Sequence, residues 1–217
     1  TGAFLASLVD PNSLFVSFFS CFSATLVAMF AGFSFSKFRY AGRKVFMSAV
    51  MMAQAFPQAI LLLTLYTMMQ AMKMDGSYIA LILSYIAFIL PVGTWTLKAY
   101  FDQLPDALIE SAKIDGAGWP RIIFQIIFPL AVPGAISTAI YGFVWSWNDL
   151  LYSLTLITEP ARRTLAPALV MKYMGEFNNN WSEMMAASIL VSIPVTLIFI
   201  MLQRYFIAGL TSGAVKG

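Results

Sequence analysis

The chain holds 217 residues, 60% of them hydrophobic and 11% charged, with thirteen basic and ten acidic side chains and a formal net charge of +3. It has no His and one Cys, which excludes Ser-His triads, Cys-His dyads, an internal disulfide and the usual zinc sites. No GxxxxGK[ST] phosphate cradle occurs, so the chain reads as a pathway rather than an enzyme, and it needs no cofactor of its own.

The charges are bunched, and between them lie five uncharged runs: Pro11 to Ser36, Val45 to Met72, Gly76 to Leu97, Ile122 to Asn148 and Met184 to Gln203. Each reaches the roughly 20 helical residues that cross about 30 Å of hydrocarbon. None alternates with period 2, so helices are the spanning form and the class is an all-α polytopic transmembrane bundle of five spans. The first run is too long for a secretory signal peptide, and no basic residues precede it. Cys21 lies inside that run and reads as a small packing residue.

Between the first two spans stands "KFRYAGRK", a dense basic loop. With the C-terminus inside, nine of the thirteen basic residues, Lys37, Arg39, Arg43 and Lys44 among them, fall on the cytoplasmic side, and four fall outside. The basic run therefore reads as a topology anchor against anionic lipid rather than a nucleic-acid site. In the second span Gln54 and Gln58 flank Pro57 one helical turn apart. They serve either interhelical hydrogen bonding or solute contact. Pro91, Gly93 and Pro194 mark expected bends.

After the third span, residues 99–130 form a long cytoplasmic segment. Pro105 suits the first turn of a helix, Asp106 and Glu110 suit its positive end, and Leu104, Leu108 and Ala112 make an apolar stripe. Glu110 and Lys113 form an i, i+3 pair. Gly116 and Gly118 mark the stop, Pro120 opens a second helix carrying Ile122, Ile123, Ile126 and Ile127, and Pro129 and Pro133 end it. The pair is either a surface hairpin or a docking knob for a cytoplasmic protein.

The fourth span climbs from about Pro133, and "WSWNDLLY" closes it. Asp149 either caps the span end beside interfacial Trp145 and Trp147, or lines the pathway or its outer gate together with Asn148. An external segment, 152–183, follows, then the fifth span and a cytoplasmic tail, 204–217. No Gly/Ser linker or internal repeat divides the chain, so residues 1–217 read as one membrane domain.

"ESAKIDGA", with Ile126 and Pro129 at fixed spacing after it, resembles the EAA loop of ABC-importer permeases, the inner-membrane subunits of binding-protein-dependent uptake systems. "FSKFRYAGRK", "WSWNDLLY" and "LQRYFIAGLTSGAVKG" resemble the carbohydrate branch of that family, typified by the maltose-type permeases. The resemblance implies the type I importer permease fold in a bacterial or archaeal inner membrane. It also implies that Glu110, Ser111, Ala112, Asp115, Gly116 and Ala117 form a coupling helix, with the glutamate contacting an ATPase. The implied partners are a second permease subunit, two ATP-binding subunits holding ATP and Mg, and an external solute-binding protein.

Two positions depart mildly from the pattern: Ser111 stands where Ala is usual, and Phe128 where Leu is frequent. Six spans are common in the family, so a leading span is expected to be absent from this numbering. The implied solute is an oligo- or disaccharide, the alternative being a polyol or glycerol phosphate. A secondary transporter fits poorly because the spans hold no convincing midplane acid, and a passive channel would not need such a dock.

Overall fold

A computed structural model describes residues 10–174 and 180–214, with side chains to residue 203. Its helices are α1 (Pro11–Lys37), α2 (Arg43–Met52), α3 (Gln58–Ala71), α4 (Tyr78–Phe101), α5 (Ala107–Ile114), α6 (Trp119–Leu130), α7 (Val132–Asn148), α8 (Leu151–Leu156), α9 (Leu165–Tyr173) and α10 (Trp181–Ala214). The expected tail is, along 204–214, a continuation of α10. Residues 175–179 of the expected external segment, and the tail's last three residues, lie outside the described residues.

Three helices, α1, α4 and Trp181–Gln203 of α10, are long and apolar enough to cross a membrane unbroken. The other two expected spans are broken. The pair Arg43–Ala55 and Gln58–Ala71 bends by 101°, and the pair Trp119–Leu130 and Val132–Asn148 bends by 70°. The count of five passages holds only when each bent pair is taken as one.

Local chemistry fixes the helix ends. Asp10 caps α1 by accepting from the Ser13 amide at 2.8 Å and its hydroxyl at 2.7 Å, with Pro11 at the first helical position. At the other end Arg43 Nη1 donates to the Phe38 and Ser36 carbonyls at 3.1 and 3.3 Å, covering groups the helix leaves unpaired. Ser77 caps α4 through the Ala80 amide at 3.2 Å.

The first break differs from the kink that Pro57 alone suggests. Phe56 is extended (φ −80°, ψ 133°), as a residue before proline prefers, and Pro57 becomes the N-cap of α3. Gln54 and Gln58 are therefore not one helical turn apart. The second break falls at Ala131, between Pro129 and Pro133 where the helix is expected to end, and leaves Pro129 in the last turn of α6. The turns before it, Ile122–Ile127, are π-helical, with the Phe128 amide bonding the Ile123 carbonyl five residues back. This wider register relieves the clash that a proline ring makes with the carbonyl four residues behind it.

The centre of the bundle is α1, α4 and α7. A Cβ on Gly32 of α1 would lie 2.9 Å from the Lys98 amide nitrogen of α4. One on Gly93 of α4 would lie 2.8 Å from Thr138 Cγ2 of α7 and 3.3 Å from Ala28 Cβ of α1. Small residues bring these backbones together, which is how helices associate where lipid offers no hydrophobic drive. Around them Val16, Leu81, Tyr85, Ile89 and Tyr152 fill one end, and Phe33, Leu97, Phe101, Ile122, Ile127 and Phe128 the other. Cys21 is buried against Phe143, Trp147 and Leu165, in the packing role expected of it. Phe15, Phe18, Phe22 and Phe30 stand outward on α1, as a lipid-facing surface requires.

Candidate functional site: the α5–α6 hairpin and the far-end polar network

Helix α5 is eight residues long and ends in a Schellman turn. The Gly116 amide bonds the Lys113 carbonyl at 3.0 Å, and the Ala117 amide bonds the Ala112 carbonyl at 2.9 Å. Gly116 adopts φ +77°, a conformation that only glycine takes without strain, and a Cβ there would meet nothing within 4 Å. Its role inside this chain is thus conformational, and the space around it is open.

The hairpin has two sides. Ile109 and Ala112 are buried, and Ala117, Ile123 and Ile126 pack on the same cluster as Phe33, Leu97, Phe101 and Phe128. The expected stripe of Leu104, Leu108 and Ala112 is shifted, since Ile109 rather than Leu108 is the buried partner of Ala112. On the other side Glu110, Ser111, Asp115 and Gly116 are exposed, and Ile114 is 86% exposed. Pro129 is exposed on α6.

The expected Glu110–Lys113 pair does not form. Lys113 Nζ lies 4.4 Å from the centre of the Trp119 ring, a cation–π contact across the turn. Among the described residues the Glu110 carboxylate has no side-chain partner. Ser111 Oγ donates to its own helix at Ala107 O, 2.7 Å away, so the hydroxyl is accommodated where Ala is usual. Asp106 turns to Lys37 Nζ at 2.7 Å, and that hydrogen bond and charge hold its carboxyl below the usual carboxylate range.

At the far end of the bundle, Asp149 follows α7 and accepts from the Ser153 amide at 2.9 Å and from the Tyr85 hydroxyl at 2.8 Å. It holds the first turn of α8 and ties it to α4, rather than capping the end of the α7 span. Tyr152 donates to the Gln58 carbonyl at 2.6 Å, and Gln54 Nε2 donates to the Phe88 carbonyl at 2.9 Å. That bond joins the segment before Pro57 to α4, so Gln54 acts in interhelical bonding.

Gln54 and Gln58 join Asp149 through Phe88, Tyr152 and Tyr85, while Asn148 stands apart from them. Asn148 faces the opposite way from its neighbour, into a cleft of about 230 Å³ between α7, α9 and α10 that Ser188, Ser192 and Thr196 also line. Trp145 and Trp147 pack inward rather than standing at an interface. Trp145 stacks on Phe88 with ring centres 5.4 Å apart, and Trp147 is 5% exposed beside Phe143.

Several of these residues escape sequence reading. Lys37 looks like one more basic anchor, and Tyr85 hides in an apolar run. The i, i+4, i+8 spacing of Ser188, Ser192 and Thr196 was a usable signal for a polar stripe on one helix face. Among the described residues no three metal-ligating side chains gather.

Residues 24–212 match the family described as "Binding-protein-dependent transport system inner membrane component". The chain is 39% identical over 206 residues to the galactooligosaccharides transport system permease protein GanQ of Bacillus subtilis, covering 95% of this chain and 73% of that one. It is 34% identical over 206 residues to the diacetylchitobiose uptake system permease protein DasC of Streptomyces coelicolor, covering 95% and 74%. With the trehalose/maltose transport system permease protein MalG of Thermococcus litoralis it shares 31% identity over 207 residues, covering 95% and 74%. A crystal structure of a bacterial ABC transporter involved in the import of the acidic polysaccharide alginate superposes with a TM-score of 0.77 at 18% identity, over 94% of this chain and 79% of that one.

Proposed function

The chain belongs to the binding-protein-dependent transport inner membrane components, as a permease subunit of a sugar ABC importer, and from that premise we propose that the α5–α6 hairpin is its dock for a nucleotide-binding subunit. The observation that carries this reading is the division of the hairpin into two sides. One side is packed on α1 and α4. The other presents an unpaired Glu110, a protruding Ile114 and the open space around Gly116. An apolar side chain exposed beside an unpaired carboxylate suits a partner's groove.

The hairpin lies on the cytoplasmic side, as does the C-terminus, since Lys37, Arg39, Arg43 and Lys44 cluster at the same end. ATP and Mg belong to the nucleotide-binding partners, whose closure displaces the hairpin. A second permease subunit completes the pathway. The segment from Thr158 to Trp181 meets an external solute-binding protein. The solute is an oligo- or disaccharide, the chemistry printed in the relatives' names.

Co-purification of the membrane complex tests the dock, comparing wild type with Glu110→Lys combined with Gly116→Trp. Wild type is expected to retain an ATPase stimulated by sugar-loaded binding protein. The double variant is expected to lose that ATPase while remaining folded, because neither position touches the bundle core. A variant that keeps both partner and stimulation reduces the hairpin to a connector.

A further inference from the structure

Lys37 is the last residue of α1, and only 6% of its side chain is exposed. Its ammonium donates to the Leu104 carbonyl at 2.6 Å and to Asp106 Oδ1 at 2.7 Å, the two positions from which α5 departs. One residue earlier, Ser36 Oγ donates to Asp102 Oδ1 at 2.7 Å, and Lys98 Nζ bonds the other oxygen of that carboxylate at 2.6 Å. One residue later, the Phe38 ring lies 4.8 Å from the Trp119 ring at the start of α6. The end of α1 is therefore held by both limbs of the hairpin.

A lysine that only anchored the loop to lipid headgroups would reach outward. This one turns inward onto the Leu104 carbonyl and onto Asp106, whose own side chain is 64% exposed. An ion pair with one partner this exposed adds little to stability. Stability alone is thus a weak reason for a charge at this joint, whereas a directional bond gives a defined register.

The opposite end of α1 is fastened as well. Asn12 Nδ2 donates to the Ala161 and Arg163 carbonyls at 3.0 and 3.2 Å, and the Leu165 amide donates to Ser13 Oγ at 2.7 Å. Between these joints runs an uninterrupted helix of 27 residues, about 40 Å at the usual rise. Gly32 holds it directly against the α4 backbone.

We propose that Lys37 is a positioning residue that makes the hairpin and α1 move as one body, delivering displacement of the hairpin along α1 to the segment 157–165 on the opposite face. The proposal rests on the reading of the hairpin as the dock for the ATPase. Two conformations differing at the hairpin then also differ at the far end, which is what coupling between the two sides of a membrane requires.

The test uses the full complex with its ATPase and binding protein in proteoliposomes, reading sugar taken up per ATP hydrolysed for wild type, Lys37→Met, Lys37→Arg and Asp106→Asn. Lys37→Met is expected to assemble with the ATPase and to be stimulated by binding protein, while uptake per ATP falls by roughly 2- to 30-fold, the range commanded by residues that carry coupling between distant sites. Lys37→Arg is expected to restore most of the ratio. Asp106→Asn, which keeps the Leu104 bond, should show a smaller fall.

A wild-type ratio in Lys37→Met overturns the proposal, and so does a loss that tracks the amount of assembled complex and is not rescued by Arg. Should Lys37→Met fail to assemble, an unchanged ratio in Asp106→Asn overturns it. Failure of the docking reading shows separately, as an ATPase retained by the Glu110→Lys, Gly116→Trp variant.

Discussion

Replacement of Gly116 by Ala isolates what the turn at the hairpin tip needs. The residue sits at φ +77°, and a Cβ there meets no atom within 4 Å, so steric overlap contributes nothing and the whole cost is conformational. A left-handed residue other than glycine costs about 1–2 kcal/mol, equivalent to a population change of roughly 5- to 30-fold. That cost falls on the Schellman turn, whose reporter is the Ala117 amide bonded to the Ala112 carbonyl at 2.9 Å. Hydrogen exchange of that amide in the purified permease should accelerate by about the same 5- to 30-fold factor, since protection measures the free energy of local opening. Gly116→Asn should accelerate it less, because Asn enters the left-handed region more readily. The melting temperature of the bundle should not move in either variant. If Ala and Asn both leave exchange unchanged yet both weaken ATPase binding equally, the reasoning fails, and the glycine is there for close approach of a partner backbone instead.

Two further substitutions probe the bundle. Gly93→Val places side-chain atoms where Thr138 Cγ2 and Ala28 Cβ already lie within 2.8 and 3.3 Å of the Cβ position. It should destabilise by about 1–3 kcal/mol in a detergent unfolding titration, with Thr138→Ala recovering part of the loss; an unchanged midpoint contradicts the packing. Asp149→Ala strands the buried Tyr85 hydroxyl and removes the acceptor of the Ser153 amide, costing about 1.5–3 kcal/mol for a bond to a charged group. Asp149→Asn, which retains an acceptor oxygen, should lose less in the same titration, and an unchanged midpoint for Asp149→Ala would show that the carboxylate does not hold α8.

The uncharged runs in the sequence correspond to the three unbroken spans and the two bent helix pairs because a membrane imposes length and polarity on every crossing. The hairpin was legible for a different reason: Pro105, Gly116 and Pro120 restrict the backbone whatever surrounds them. Long-range bonds were not legible. Pro57 permits either a kink or a full break. The break is held by Gln54 on Phe88 and by Tyr152 on Gln58, contacts 34 and 94 residues apart in the chain. In the same way Lys37, within "KFRYAGRK", has the composition of a lipid anchor. Its acceptors Leu104 and Asp106 lie 67 and 69 residues on. Nothing local distinguishes Trp145 stacked on Phe88 from a tryptophan at an interface. Pro129 and Pro133 bracket the end of α6 as expected, but the π-helical register just before Pro129 is a feature that sequence does not display.

Inside hydrocarbon an apolar contact discriminates poorly between one helix position and another, so the register of α1 on α4 must come from shape in the middle and from directional bonds where polar groups are tolerated. The structure divides the work in this way. Gly32 and Gly93 set the spacing within the bundle, while Lys37 and Asp102 at one end and Asn12, Ser13 and Asp149 at the other supply the bonds. Helix α10 has little of either. Its 18-residue apolar window is 6% buried, against 44% for α1 and 50% for α4, and it leans on Cys21, Phe143 and Trp147 through Val191, Val195 and Ile198. Helix α10 nonetheless packs along α7 at Phe143 and Trp147 and reaches α1 at Cys21, so shape alone sets its place beside the cleft lined by Asn148, Ser188, Ser192 and Thr196.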